Sequence, residues 1–184
     1  MLFSTKYFIF AYYEESKYMA QTALSLAKMT KEVDHHGPGR SQGIHHQILH
    51  DILIGQDSRE KELSFQSIAS VSVTNLSKFD ARCLSNLAYA CAIAGFDPIL
   101  ENGSSLMQCI AKQSILFLRK FNPQSISNMV WAFEKVGSSN PQLFDGASNS
   151  IVAMNNLGDF KSQELANLGI AFAKAEELHH RECG

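Results

Sequence analysis

The chemistry-bearing residues of this 184-residue chain are few and poorly grouped. His46-Gln-Ile-Leu-His50 puts two imidazoles one helical turn apart, the spacing with which zinc hydrolases hold their metal. The position that carries the general-base glutamate in that motif is Gln47, and no third ligand accompanies the pair, whereas a catalytic zinc needs three protein ligands. His35, His36, His179 and His180 fall in a loop or near the end of the chain, too scattered to complete a metal site. The four cysteines, at 83, 91, 109 and 183, show no C-x-x-C spacing and sit within apolar helical patterns, so they read as reduced, packed thiols. Neither a phosphate-binding glycine loop nor a nucleophile elbow nor a carboxylate pair is present. The expectation is a binding protein, not an enzyme, with no cofactor and no metal.

The elements that position the remaining candidates come from an internal repeat. Three segments align without gaps: Phe79-Asp-Ala-Arg-Cys-Leu-Ser-Asn-Leu-Ala-Tyr-Ala-Cys-Ala-Ile-Ala-Gly95, Phe121-Asn-Pro-Gln-Ser-Ile-Ser-Asn-Met-Val-Trp-Ala-Phe-Glu-Lys-Val-Gly137 and Phe160-Lys-Ser-Gln-Glu-Leu-Ala-Asn-Leu-Gly-Ile-Ala-Phe-Ala-Lys-Ala-Glu176. A weaker copy spans Met19 to Met29, with Gln21 in place of the recurring asparagine. In the middle copy Ile126, Met129, Val130, Phe133 and Val136 form an i, i+3, i+4 stripe, so each copy is a helix, here termed A. Gly95 and Gly137 are stops, and Pro123 is harmless in a first turn. The A helices are expected at 80–94, 122–136 and 161–178. A second apolar stretch precedes each phenylalanine and predicts B helices at 63–76, 105–119 and 142–157, with Asp97-Pro98 and Asn140-Pro141 marking turns. Helix pairs of this kind bury both faces only by stacking on neighbours. The fold class that follows is all-α, a right-handed α-solenoid of tandem helical hairpins about 38–42 residues long.

Residues 1–62 are less regular, with a loop at 34–43 and a helix at Ile44 to Ile54; the repeat domain covers 63–184. Met1 to Tyr13 reads as part of a helix from a mispositioned or truncated start, since it fits neither a secretory signal nor a transit peptide. No run approaches the roughly 20 apolar residues that cross a bilayer. The net charge of −2 argues against a strongly basic protein that coats nucleic acid, while leaving room for a local basic face.

The strings Leu84-Ser-Asn-Leu-Ala-Tyr-Ala, Ile126-Ser-Asn-Met-Val-Trp-Ala-Phe-Glu-Lys-Val-Gly137 and Leu165-Ala-Asn-Leu-Gly-Ile-Ala-Phe-Ala-Lys-Ala175 resemble the octotricopeptide repeat family. They are similar also to the leucine-rich helical repeats of FAST-kinase-like and RAP-domain proteins. The resemblance covers about Leu63 to Leu178 and departs from the family pattern at Glu176, which stands where the stop glycine belongs. It implies binding of single-stranded RNA in a mitochondrion or plastid, in support of RNA processing, stability or translation. A protein-interaction scaffold of the same architecture is the alternative.

A modular RNA reader needs polar positions that change from repeat to repeat, because each repeat meets a different base. Two such columns stand in the first turn of helix A: Arg82, Gln124 and Gln163, and beside it Cys83, Ser125 and Glu164. Either they are ordinary solvated helix surface or they face RNA. The invariant Asn86, Asn128 and Asn167 cannot encode different bases and read as buried structural amides that satisfy backbone groups of the next repeat, with backbone or base contact as the alternative. Tyr89, Trp131 and Ile170 share a column that reads as packing, with base stacking as the other use of its two aromatic rings. Lys112, Arg119, Lys120 and Lys135 outnumber Glu134 in the middle repeat and either neutralise phosphates or form an ordinary solvated face. The third helix A has no B helix after it to cover Leu165, Leu168, Ala171, Phe172 and Ala175, so the chain is expected either to be a fragment or to meet a partner or further repeats at that end.

Overall fold

The structure, a computed structural model, describes residues 58–138 and 140–182. Six α-helices fill them: α1 (Ser58–Asn75), α2 (Ala81–Ala94), α3 (Leu106–Ile115), α4 (Pro123–Val136), α5 (Pro141–Ala153) and α6 (Ser162–Glu182). Among the described residues there is no β-strand, only one isolated bridge between Ile99 and Ser105. The chain is all-α over this span. The expected helix at 44–54, the loop at 34–43, His35, His36, His46, His50, Cys183 and the weak copy at 19–29 lie outside the described residues.

Local chemistry accounts for the helix ends. Asp80, Asn122 and Asn140 cap α2, α4 and α5 by accepting the N–H three residues on. Ser105 and Gln108 form a reciprocal capping box at α3, which satisfies two otherwise unpaired donors. Gly95 and Gly137 take φ of 67° and 73°, and the residue after each donates its N–H back across the last turn, Phe96 to Cys91 and Ser138 to Phe133. A side chain at that φ is costly, which is why glycine ends the helix. Glu176 occupies the equivalent place in α6, where the left-handed stop is missing, and that helix runs on through Glu182 instead of ending near 178.

Short 3-10 turns, unannounced in the sequence reading, follow the B helices at Leu76–Lys78, Leu118–Lys120 and Leu157–Asp159. Each ends in an extended phenylalanine whose N–H returns to the leucine carbonyl: Phe79 to Leu76, Phe121 to Leu118, Phe160 to Leu157. The rings of Phe79, Phe121 and Phe160 are buried. The recurring phenylalanine thus pins the corner between two helices to the core.

Helices α2, α4 and α6 pack side by side, with α1, α3 and α5 behind them. Two contacts set the direction. Ser127 near the start of α4 meets Glu164 near the start of α6, and Glu134 near the end of α4 meets Lys174 further along α6. Both numbers rise together, so α4 and α6 run parallel, and the meeting of Tyr89 with Trp131 sets equivalent positions of α2 and α4 side by side. Leu84, Leu87, Ala88, Ala90 and Cys91 of α2 and Ile126, Met129, Val130, Ala132 and Phe133 of α4 are sealed in one core with Leu106, Met107, Ile110 and Leu143. Full burial of each large aliphatic side chain contributes ~1.5–3 kcal/mol.

Candidate nucleic-acid interface

With the inner faces of α2, α4 and α6 committed to the core, a stripe of each helix stays open, and on α6 Leu165, Ala166, Gly169 and Ala173 are exposed beside it. Positions i, i+4, i+7 and i+11 fall on one helical face. In α2 these are Arg82, Asn86, Tyr89 and Ile93; in α4, Gln124, Asn128, Trp131 and Lys135; in α6, Gln163, Asn167, Ile170 and Lys174. Because the helices are parallel, the stripes line up as four rows across the layer.

The first row is Arg82, Gln124 and Gln163, all exposed. The second is Asn86, Asn128 and Asn167, all half-buried, and among the described residues none of the three carboxamides has a hydrogen-bond partner. The expected ladder of buried amides is therefore absent from these positions. Between α4 and α6 a polar link comes instead from Ser127, whose hydroxyl donates to the Glu164 carbonyl at 3.0 Å in a buried setting, whereas the equivalent Ser85 hydroxyl donates to Arg82 of its own helix. The third row is aromatic: the half-buried rings of Tyr89 and Trp131 meet with centroids 5.1 Å apart and planes tilted by 37°, while Ile170 is 52% exposed. Rings so placed pack against the core with one edge and reach the surface with another. The fourth row carries the exposed Lys135, and Lys174, which reaches Glu134 at 2.6 Å.

The column of Cys83, Ser125 and Glu164 is not a surface. All three are buried, because the third residue of each A helix turns under the start of the helix. The backbone N–H groups of Cys83 and Ser125 are taken by Asp80 and Asn122. Glu164 reaches back with its carboxylate to the Lys161 N–H at 2.9 Å, a cap on α6 that favours negative charge at a helix N-terminus. These residues are corrected from candidate readers to helix caps and packing. The Cys83 thiol is pushed up to about 12 by burial, with the neighbouring Asp80 acting the same way. Burial likewise raises Cys91 and Cys109, so none is a ready nucleophile.

Lys112 is exposed on α3, and Arg119 and Lys120 are exposed in the 3-10 turn that leads into α4. That turn packs on α5 in the layer behind, to which Lys112 also belongs. Among the described residues no group of three metal-ligating side chains is assembled, and no helix is long and apolar enough to cross a membrane. The side chains of His179 and His180, in the last turns of α6, lie outside the described part of the structure. No family model, no curated protein and no solved structure matches this chain.

Proposed function

We propose that the chain is a stretch of right-handed α-solenoid that binds single-stranded RNA across the open face of α2, α4 and α6, and that it acts on organellar RNA in a mitochondrion or plastid. The observation that carries the reading is the first row. Arg82 gives way to glutamine at both 124 and 163 in otherwise similar segments, and all three are exposed and stand in register above constant asparagines and a surface-reaching aromatic pair. A surface that varies in one row and repeats in the next suits a polymer whose bases vary and whose backbone repeats. Arg82 can fork to or stack on a base, and the glutamines can pair with base edges. Lys135 supplies positive charge on the same face, and Arg119 and Lys120 lie exposed in the turn that leads into α4.

The test is fluorescence anisotropy with a randomised single-stranded RNA pool, followed by selection and sequencing of the retained strands. Three or four phosphate contacts predict that log K falls with log salt at a slope of about −2 to −3. Arg82→Ala and Gln124→Ala should each shift base preference at one position. Crosslinking in cells followed by RNA identification, with fractionation of the tagged chain, tests the RNA class and the compartment together. A protein-interaction scaffold is the second reading, favoured by the net charge of −2 and by the exposed Leu165 and Ile170 on α6. Protein partners recovered in a salt-insensitive complex, with no RNA retained, would establish it.

A further inference from the structure

The three asparagines of the second row lack an internal purpose. Each sits mid-helix, where asparagine is a weaker helix former than alanine or leucine. None caps a helix end, since Asp80, Asn122 and Glu164 do that. None bridges to the neighbouring helix, since Ser127 does that between α4 and α6. Each is half-buried on the open face, and among the described residues each carboxamide is left without a hydrogen-bond partner. The same side chain is thus offered once per parallel helix, at the interval of packed helix axes, ~8–10 Å.

A constant group at constant spacing can only read what is constant in a ligand. In an RNA strand that is the sugar–phosphate backbone. The carboxamide carries both a donor and an acceptor. A phosphate oxygen uses only the donor, whereas a ribose 2′-hydroxyl both donates and accepts and so answers both halves of the amide. We propose that Asn86, Asn128 and Asn167 form a row that contacts the 2′-hydroxyls of a bound strand, so that this surface distinguishes RNA from DNA. The inference rests on the RNA-binding reading and deepens it: the first row selects bases, and the second selects the sugar.

The experiment compares an RNA retained by the wild-type chain with the same sequence carrying 2′-deoxyribose throughout, uracil being kept so that the bases are identical. The wild type should favour the ribose strand. Asn128→Ala should weaken RNA binding about three- to tenfold, as expected for one lost hydrogen bond, and leave the deoxyribose strand nearly unaffected. The triple variant Asn86→Ala, Asn128→Ala, Asn167→Ala should bind both strands alike, with a Tm equal to or above that of the wild type. A triple variant that still prefers RNA overturns the proposal. So does a wild type that binds both strands equally, although nucleic-acid binding then stands. A fall in Tm with parallel loss of both strands assigns the asparagines to the fold instead, and overturns it too. A wild type that binds neither strand defeats the RNA reading itself, a result separate from all of these.

Discussion

Ile126 and Leu165 hold the same place in α4 and α6, yet the first is 0% exposed and the second 39%. Their counterpart in α2, Leu84, is also 0% exposed. The difference lies in what comes next: α2 and α4 are each followed by another A helix, and α6 has none after it among the described residues. Truncating both residues to alanine therefore separates stacking from intrinsic helix stability. Ile126→Ala deletes a side chain with no open side, so the transfer loss is joined by a cavity and the cost should reach ~2–5 kcal/mol. Leu165 has lost only about three-fifths of its exposure, which scales full burial to ~1–1.8 kcal/mol. Solvent can occupy the vacated space there, so no cavity cost is added. Urea denaturation followed by far-UV circular dichroism at 25 °C would read the difference as a shift in midpoint at constant slope. Costs that agree within ~0.5 kcal/mol would refute the stacked arrangement, because the two positions would then be equally buried in solution.

Ser127→Ala should cost ~0.5–1.5 kcal/mol by removing the hydroxyl's bond to the Glu164 carbonyl, measured in the same denaturation series; a neutral result would show that the α4–α6 contact is held by apolar packing alone. The raised Cys83 thiol predicts an alkaline limit. Its pKa in the folded chain, about 12, exceeds the ordinary 9.0, so the neutral thiol's contribution is fully present below pH 9 and is lost as pH rises from there towards 12. The urea midpoint of Cys83→Ala should accordingly fall less than that of the wild type between pH 8.5 and 10.5. The exposed Leu165 and Ile170 on α6, with Val152 at 72% and Leu157 at 58% nearby in sequence, predict concentration-dependent self-association. Sedimentation velocity should show it, and the pair Leu165→Lys, Ile170→Lys should suppress it; a monodisperse wild type would rule it out.

What the sequence determined by itself was local. Apolar spacing placed α2, α4 and α6 within a residue or two at their starts, Gly95 and Gly137 ended two of them, and Pro123 stood in a first turn, because helix period, left-handed stops and missing donors act within a few residues. Even the overrun of α6 was written in Glu176, which cannot take the stop glycine's backbone cheaply. Exposure of polar positions was not written there. Arg82 and Cys83 are adjacent, as are Gln163 and Glu164, and each pair divides between solvent and core according to how the helix start sits on its neighbours. The link between helices expected at Asn128 falls instead to its neighbour Ser127 for the same reason: the Ser127 acceptor lies 37 residues away, on a helix whose approach only the packed layer sets. The pairing of Tyr89 with Trp131 and of Lys174 with Glu134 likewise waits on parallel register. Periodicity says which residues share a face, but a half-buried row between core and solvent is defined by the neighbouring helices, and those are brought together only by the tertiary structure.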